Sequence, residues 1–286
     1  AKKMITVIGY EGRVGNFLYK AYQRAGIETF GIGRRFEYSS DNLLSINGLV
    51  GTGPHCIVYT ALSSDRPYTS IQSESDLNAL RRFLEWAGRL NARPRLVFLS
   101  SISVYENLPA GSTETGIELV CESPYSQMKL GSENLIKKFR GNFERVEILR
   151  CGALLVHFST DESFIGKLIT ALTAGQHYEL VNPKNRFNAL ITAADLFGVL
   201  NNLDVMQEQE DFVSTFNIGS TDPLTMFQLA EHIANRLHVK NSVRWREDSS
   251  IGERLLQYPL GLSGRLPTVM ESLDRYTSQL TGFGGR

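Results

Sequence analysis

The sequence predicts an α/β fold, with a doubly wound parallel sheet followed by a smaller C-terminal lobe. Short apolar segments alternate with amphipathic helices through the first 150 residues, which is typical of a parallel sheet. A glycine-rich turn joins the first strand to the first helix, and the alternation loosens after about residue 151. We therefore expect a sheet domain over residues 1–151, to which part of the later chain returns, and a lobe over residues 152–286.

The predicted strands of the first domain are continuous apolar runs, the pattern of strands buried on both faces. Residues 36–55 are polar and rich in Ser, Asn and Gly, so they predict no definite element. We expect the C-terminal lobe to cover the carboxyl edge of the sheet, where ligands of such sheets bind. The predicted strands are 4–8, 29–32, 57–61, 95–100, 146–150 and 215–218, and the predicted helices are 12–25, 76–90, 124–140, 164–174, 195–202, 224–237 and 268–280.

Composition excludes several classes of partner. Thirty basic residues balance thirty acidic ones, which gives no electrostatic case for a nucleic acid or an anionic membrane surface. No apolar run reaches membrane-spanning length and the N-terminus lacks a signal-peptide layout, so we expect a cytoplasmic protein. The three cysteines and five histidines show no metal-ligand spacing, so we expect free thiols and no metal site.

The glycine-rich turn has the pattern GxxGxxG at Gly9, Gly12 and Gly15. Gly9 permits a tight turn, Gly12 lets the backbone approach a pyrophosphate, and Gly15 lets the helix pack on the strand. The helix N-terminus offers free N–H groups and a partial positive charge to phosphates. The turn therefore predicts a Rossmann-type dinucleotide site in which Arg13 and Val14 also take part.

Two arginines, Arg34 and Arg35, follow Gly33 at the end of the second predicted strand. A site that prefers NAD usually has Asp or Glu there for the ribose hydroxyls. Guanidinium groups suit the 2′-phosphate of NADP instead, and Arg13 is a second candidate for the same phosphate. We expect NADP as the cofactor, with NAD as the alternative.

A second constellation combines Ser101 with Tyr125 and Lys129. The spacing i, i+4 places Tyr125 and Lys129 on one face of a helix, which Ser123 and Pro124 predict to begin there. A phenol is a poor acid–base catalyst near neutral pH unless a cation lies close to it, and Lys129 supplies one. Ser101 lies at the carboxyl end of a buried strand, from which its hydroxyl is expected to bind a substrate oxygen.

The glycine loop, the segment 97–105 (VFLSSISVY) and the pair Tyr125 and Lys129 together resemble the extended short-chain dehydrogenase/reductase family, the NAD-dependent epimerase/dehydratase group. The segments 186–191 and 216–219 resemble later parts of the same family. The resemblance covers most of the chain. It implies three sets of residues: catalytic Ser101, Tyr125 and Lys129; cofactor-binding Tyr59, Thr60, Ala61, Tyr125 and Lys129; and substrate-binding Ser101, Ser103 and Arg186.

The sequence departs from this family at the substrate end. Dehydratases of the group carry Thr-Asp-Glu where this chain has Ser101, Ile102 and Ser103, which argues against elimination of water. Glu106 stands where glycine is common, and we interpret it as a loop variation. The family's third-strand aspartate for adenine has no clear match in residues 41–51.

Three functional hypotheses follow. The first is reduction of a keto group on a nucleotide-activated sugar by NADPH. The second is a sugar epimerase that retains NAD, and the third is a non-catalytic dinucleotide sensor, which would be expected to lack Tyr125 or Lys129. The expected partner is a small-molecule substrate. The resemblance also implies a homodimer interface formed by two helices of the sheet layer, for which the helices predicted at 76–90 and 124–140 are the candidates, with a monomer as the alternative.

Overall fold

The structure is a computed structural model. It describes residues 4–33, 55–62, 68–107, 119–156, 163–203, 212–253, 255–258 and 260–281. Arg34, Arg35 and all but the last residue of the polar segment 36–55 lie outside the described residues. Among the described helices, none has the length and apolar character needed to cross a membrane.

Six strands form the central sheet in the spatial order β10-β5-β4-β3-β1-β2. The pairs β1/β2, β1/β3 and β3/β4 are parallel, which confirms the predicted fold class. β1 therefore lies between β2 and β3, and the strand order reverses beside it, which is where open α/β sheets bind ligands. The strands are β1 Met4–Ile8, β2 Glu28–Ile32, β3 His55–Tyr59, β4 Arg95–Ser101, β5 Arg145–Cys151 and β10 Val213–Ile218.

Helices follow the strands as the alternating pattern predicts. The predicted start at Ser123 and Pro124 is confirmed, since the Ser123 hydroxyl accepts from the amide of Ser126 at 3.2 Å. The second helix begins at Ser70 and not at 76, because Thr69 and Gln72 form a capping box ahead of it. The helices are α1 Arg13–Arg24, α2 Ser70–Ala87, α3 Pro124–Lys138, α4 Phe164–Thr173, α5 Ala193–Asn202, α6 Met226–Leu237, α7 Leu260–Ser263 and α8 Val269–Thr281.

The chain divides into two compact units. Of the described residues, those up to 150 together with 212–216 form the first unit, and the remainder form the second. In the second unit, α4, α6 and α8 bury one apolar cluster that includes Ile169, Ile233 and Tyr276. The second unit also holds the short strands β6 Ala153–Leu155, β7 Tyr178–Val181, β8 Arg186–Phe187, β9 Leu190–Thr192, β11 Leu224–Thr225 and β12 Val243–Arg246.

The core of the first unit is built by apolar side chains of the sheet and of the helices packed on it. Every residue of β1 and β3 is buried, as expected for strands covered on both faces. On one face, the ring of Phe83 in α2 lies 5.1 Å from that of Tyr59 and 6.3 Å from that of Phe143. This core fixes the edge of the sheet at which the strands end.

His55 is a buried polar residue at the start of β3, at the end of the sheet opposite to the carboxyl edge. Its Nε2 pairs with Thr6 Oγ1 at 2.8 Å, and its buried Nδ1 has no hydrogen-bond partner among the described residues. Burial lowers the pKa of His55 from 6.5 to about 4. The folded protein therefore holds this imidazole neutral, and the unfolded chain binds a proton at higher pH than the folded protein does.

We predict that His55 makes the protein less stable in mild acid. Above pH 6.5 the imidazole is neutral in both states, so it does not lower the free energy of unfolding. As the pH falls from 6.5 to about 4, the unfolded chain takes up a proton that the folded protein does not. The free energy of unfolding then falls by about 3 kcal/mol. Urea unfolding of the wild type and of His55→Gln across this range measures the difference. If both proteins lose stability equally between pH 7 and pH 5, the assignment is wrong.

Candidate active site

Three strands of the first unit end at the same level, and the predicted cofactor residues follow them. Ile8 of β1 lies opposite Ile32 of β2 and opposite Tyr59 of β3. Gly9 then donates its amide to the Ile32 carbonyl at 2.7 Å, and Thr60 donates its amide to the Ile8 carbonyl at 2.8 Å. The glycine loop therefore begins at the shared carboxyl edge of these strands.

Two of the three glycines are required by packing within the protein. Gly9 has φ +88°, and a Cβ there would lie 2.6 Å from Cα of Ala61. A Cβ on Gly15 would lie 2.1 Å from the Gly9 carbonyl oxygen. For Gly12 the nearest atom to a Cβ is the Gly9 carbonyl oxygen, at 3.3 Å. Gly12 is exposed, so the absence of its side chain leaves room outward, where a pyrophosphate is expected to approach.

The start of α1 also fits a phosphate. Its N-cap is Gly12, which offers no side-chain cap to the first turn. Elsewhere in the described chain, α2 to α6 each begin after a Ser or Thr whose hydroxyl accepts an amide of the first turn. Amides at a helix N-terminus that lack a side-chain cap suit an anionic ligand. The loop therefore fits the diphosphate of a dinucleotide.

The other predicted cofactor residues fall into two groups. Thr60 donates its hydroxyl to the Ile8 carbonyl at 2.8 Å, and it packs with Ala61 against the glycine loop. Tyr59 is 1% exposed and its ring lies in the apolar core, so its role in binding a cofactor stays a prediction. The roles of Arg13 and Val14 stay predictions.

Ser101 occupies the last position of β4 and caps a short 3-10 turn, Ile102–Tyr105. Its Oγ accepts the amide of Ser103 at 3.1 Å. Because the oxygen accepts that bond, the hydroxyl proton is left to be donated to another oxygen. The Oγ of Ser103 is buried and has no hydrogen-bond partner among the described residues. The Ser101 hydroxyl therefore has a proton left for a ligand, and the role of Ser103 stays a prediction.

Tyr125 and Lys129 lie together near the end of β4. The buried Nζ of Lys129 donates to the Leu99 carbonyl at 3.1 Å and lies 5.6 Å from the centroid of the Tyr125 ring. A cation at this distance over an aromatic ring is attracted to it. Leu99 precedes Ser101 by two residues in β4. The Lys129 ammonium therefore lies beside the Tyr125 ring and is hydrogen-bonded to the strand that ends in Ser101.

Sequence reasoning missed Tyr68, which packs edge-on against Tyr125 with ring centroids 5.5 Å apart. Its hydroxyl donates to Asp76 Oδ2 at 2.7 Å. Burial and this bond raise the pKa of Tyr68, so Tyr68 keeps its proton. No local sequence motif marks it, because the contact joins residues 57 positions apart in the chain (125 − 68).

Glu106 is not a simple loop variation, as the sequence had suggested. Its carboxylate accepts the amide of Ser123 at 2.9 Å, the hydroxyl of Ser123 at 2.7 Å and the hydroxyl of Ser126 at 2.8 Å, and it also accepts the amide of Glu122. Partial burial alone would raise the pKa of Glu106, but these hydrogen bonds outweigh it and hold the pKa below its ordinary value. Glu106 therefore fixes the first turn of α3, which carries Tyr125, to the turn that follows Ser101.

We predict that Glu106→Ala lowers the free energy of unfolding by ~2 kcal/mol, since several hydrogen bonds to one carboxylate are lost. The matched control is Glu122→Ala, which removes an exposed carboxylate from the same loop and is expected to change stability by less than about 0.5 kcal/mol. Urea unfolding at pH 7 measures both. Equal losses in the two variants would contradict the role given to Glu106.

A buried ion pair holds the middle of α3. Glu133 accepts Arg150 Nη2 at 2.7 Å, Arg150 Nε at 3.0 Å and the hydroxyl of Ser100 at 2.6 Å. Arg150 Nη1 also donates to the Tyr105 hydroxyl at 3.0 Å. Burial alone would lower the pKa of Arg150, but the bonds to Glu133 raise it, so Arg150 stays charged. This pair links α3 to β5 and, through Ser100, to β4.

We predict that Glu133→Gln destabilises the protein by about 3–5 kcal/mol, because it leaves the buried Arg150 guanidinium without a countercharge. The double variant Glu133→Leu with Arg150→Met removes both charges. By urea unfolding, it is expected to lose much less stability than the sum of the losses in Glu133→Leu alone and Arg150→Met alone. Additive losses in this double-mutant cycle would rule out a coupled ion pair.

Arg186, the predicted substrate arginine, lies in the second unit and is exposed. Its Nε and Nη2 bind the Glu253 carboxylate at 2.9 and 2.8 Å, and its amide donates to the same carboxylate at 2.8 Å. The hydrogen bonds from Arg186 hold the pKa of Glu253 below its ordinary value. A phosphate would therefore have to share this guanidinium with Glu253, and the role of Arg186 stays a prediction.

Comparison with protein families identifies one match. The model of the NAD dependent epimerase/dehydratase family matches residues 5–219, a range that contains the glycine loop, Ser101, Tyr125 and Lys129. The resemblance drawn from the sequence motifs is thereby confirmed. A search of curated protein sequences finds no match.

Solved structures share the fold at low sequence identity. UDP-N-acetylglucosamine 4-epimerase from Bacillus cereus is 17% identical, with a TM-score of 0.73 over 97% of this chain and 99% of that one. A dTDP-4-dehydrorhamnose reductase from Bacillus anthracis, in complex with NADP, is 15% identical, with a TM-score of 0.75 over 98% and 99%. UDP-glucose 4-epimerase from Thermotoga maritima, with UDP-glucose, is 16% identical, with a TM-score of 0.75 over 97% and 99%.

Proposed function

Because the chain belongs to the NAD dependent epimerase/dehydratase family, we propose that it reduces a keto group on a nucleotide-activated sugar. The observation that carries this proposal is the pairing of Tyr125 with Lys129 beside the end of β4, where Ser101 keeps a hydroxyl proton to donate. A sensor has no need of a phenol with an adjacent ammonium. The third hypothesis, a non-catalytic sensor, therefore ranks below the two enzymatic ones.

A bound nicotinamide dinucleotide supplies the hydride for this reduction. Ser101 donates a hydrogen bond to the substrate carbonyl oxygen and orients it, while keeping its own proton. Tyr125 transfers its phenolic proton to that oxygen as the alcohol forms. Lys129, held by the Leu99 carbonyl, stabilises the phenolate that remains and has further N–H donors for a ribose hydroxyl.

The proposed cofactor is NADPH. Arg34 and Arg35 follow the second strand, and guanidinium groups bind a 2′-phosphate well. NADPH also suits a reductase, because cells keep this dinucleotide mainly in its reduced form. The glycine loop and the uncapped start of α1 suit either dinucleotide, so the arginines alone carry this preference.

The substrate class rests on the relatives and on the end of β4. The similar structures include a dehydrorhamnose reductase and epimerases of UDP-sugars. Dehydratases of the family carry Thr-Asp-Glu where this chain has Ser101, Ile102 and Ser103, so an apolar side chain and a hydroxyl stand in place of the two carboxylates. Hydroxyls bind sugar oxygens but do not remove a proton from carbon as a carboxylate does, which favours simple reduction over elimination.

A sugar epimerase is the second candidate, because two of the similar structures are epimerases. An epimerase of this kind cycles a retained NAD within one turnover, whereas the reductase consumes NADPH. Absorbance and mass analysis of the purified protein distinguish them. Protein that carries NAD and converts a UDP-sugar without added NADPH would overturn the reductase proposal.

We predict that Tyr125→Phe lowers kcat for NADPH-dependent reduction of a keto-sugar nucleotide by about 10²–10⁴-fold, because the proton donor is lost. Its Kd for NADPH is expected to stay within about threefold of the wild type, since the main dinucleotide contacts lie in the glycine loop. Fluorescence titration and steady-state assays over a panel of keto-sugar nucleotides measure both. Full activity of Tyr125→Phe on the best substrate would exclude the catalytic role.

A further inference from the structure

Two glycines on one side of the second strand leave a gap that the glycine loop fills. Gly31 and Gly33 are two residues apart, so they share a face of the extended chain. A Cβ on Gly31 would lie 2.5 Å from the ring of Tyr10, and a Cβ on Gly33 would lie 2.7 Å from the carboxyl carbon and Oε2 of Glu11. The side chains of Tyr10 and Glu11 therefore lie where side chains at 31 and 33 would otherwise be.

This arrangement brings the Glu11 carboxylate beside Gly33. The Tyr10 ring packs between Gly31 and Tyr19 of α1, with the two tyrosine centroids 5.2 Å apart. Glycine is depleted in strands because it has no side chain to pack, so a glycine at 31 calls for a spatial reason, and the Tyr10 ring supplies it. With Tyr10 held there, its neighbour Glu11 extends over Gly33, immediately beyond the end of β2.

The end of the second strand is where sheets of this kind bind the adenosine ribose, through a carboxylate that accepts its hydroxyls. Residue 33 has no side chain, but the Glu11 carboxylate fills the space beside it. We propose that Glu11, reaching across from the glycine loop, is the carboxylate that accepts the ribose hydroxyls and admits NADH. This inference rests on the proposed dinucleotide-dependent function and adds to it a residue that acts on cofactor choice.

The charge on Glu11 then distinguishes the two dinucleotides. A carboxylate accepts the 2′- and 3′-hydroxyls of NADH but repels the 2′-phosphate of NADPH. The charge on Glu11 therefore favours NADH over NADPH.

The test compares the Kd values of NADH and NADPH, measured by nicotinamide fluorescence, in the wild type and three variants. In Glu11→Gln the Kd of NADH is expected to rise about tenfold, since a charge-assisted hydrogen bond is weakened, while the Kd of NADPH falls. Gly33→Ala displaces the carboxylate without removing its charge, and it is expected to raise the Kd of NADH as well. Glu28→Gln, which neutralises an exposed glutamate at the other end of β2, is the matched control and should change neither value.

The outcomes separate this inference from the proposed function. Wild-type protein that binds both dinucleotides, with the same Kd ratio in Glu11→Gln, overturns the role of Glu11 and leaves the proposed function standing. Wild-type protein that binds neither dinucleotide overturns both. A melting curve for each variant verifies that it is folded, and a Kd ratio that moves in Glu28→Gln as much as in Glu11→Gln also counts against Glu11.

Discussion

The placement of the candidate catalytic group depends on how α3 is fixed to the end of β4. Lys129 and Glu133 are one turn apart on the same face of the helix. Lys129 binds the Leu99 carbonyl and Glu133 binds the hydroxyl of Ser100. Two consecutive residues of the strand are therefore engaged by the helix, and the next residue, Ser101, has a hydroxyl proton left for a ligand. The ion pair with Arg150 completes this attachment by joining the helix to β5.

Two carboxylates hold α3 in position. Glu106 fixes the start of α3, and Glu133 fixes its middle. Tyr125 lies between these two points, and Tyr68 packs against its ring. A buried ion pair contributes little net stability once its desolvation is counted, so we regard the geometry it imposes on Tyr125 and Lys129 as its main consequence. An enzyme that transfers a proton from a phenol needs that phenol held to a fraction of an ångström.

The sequence predicted those features that depend on local patterns. The alternation of apolar runs and helices predicted the sheet, and the spacing of Gly9, Gly12 and Gly15 predicted the tight loop after β1. The start of α2 was missed because the capping residues Thr69 and Gln72 precede the apolar periodicity. Contacts between distant residues were also missed. The interpretation of Glu106 was wrong because its donors lie 16 to 20 residues further along the chain, and the pairing of Glu133 with Arg150 joins residues 17 apart. Arg34 and Arg35 lie outside the described residues, so their preference for a phosphate stays a prediction.

The most direct test of the central claim is isotope transfer from the cofactor to the sugar. The protein is incubated with NADPH carrying deuterium at both hydrogen positions of C4 of the nicotinamide, and with the keto-sugar nucleotide that it reduces fastest. Mass spectrometry of the product then reports where the hydride went. We predict one deuterium on the former carbonyl carbon with the wild type and essentially no labelled product with Tyr125→Phe. An unlabelled product formed at the same rate without NADPH would contradict it.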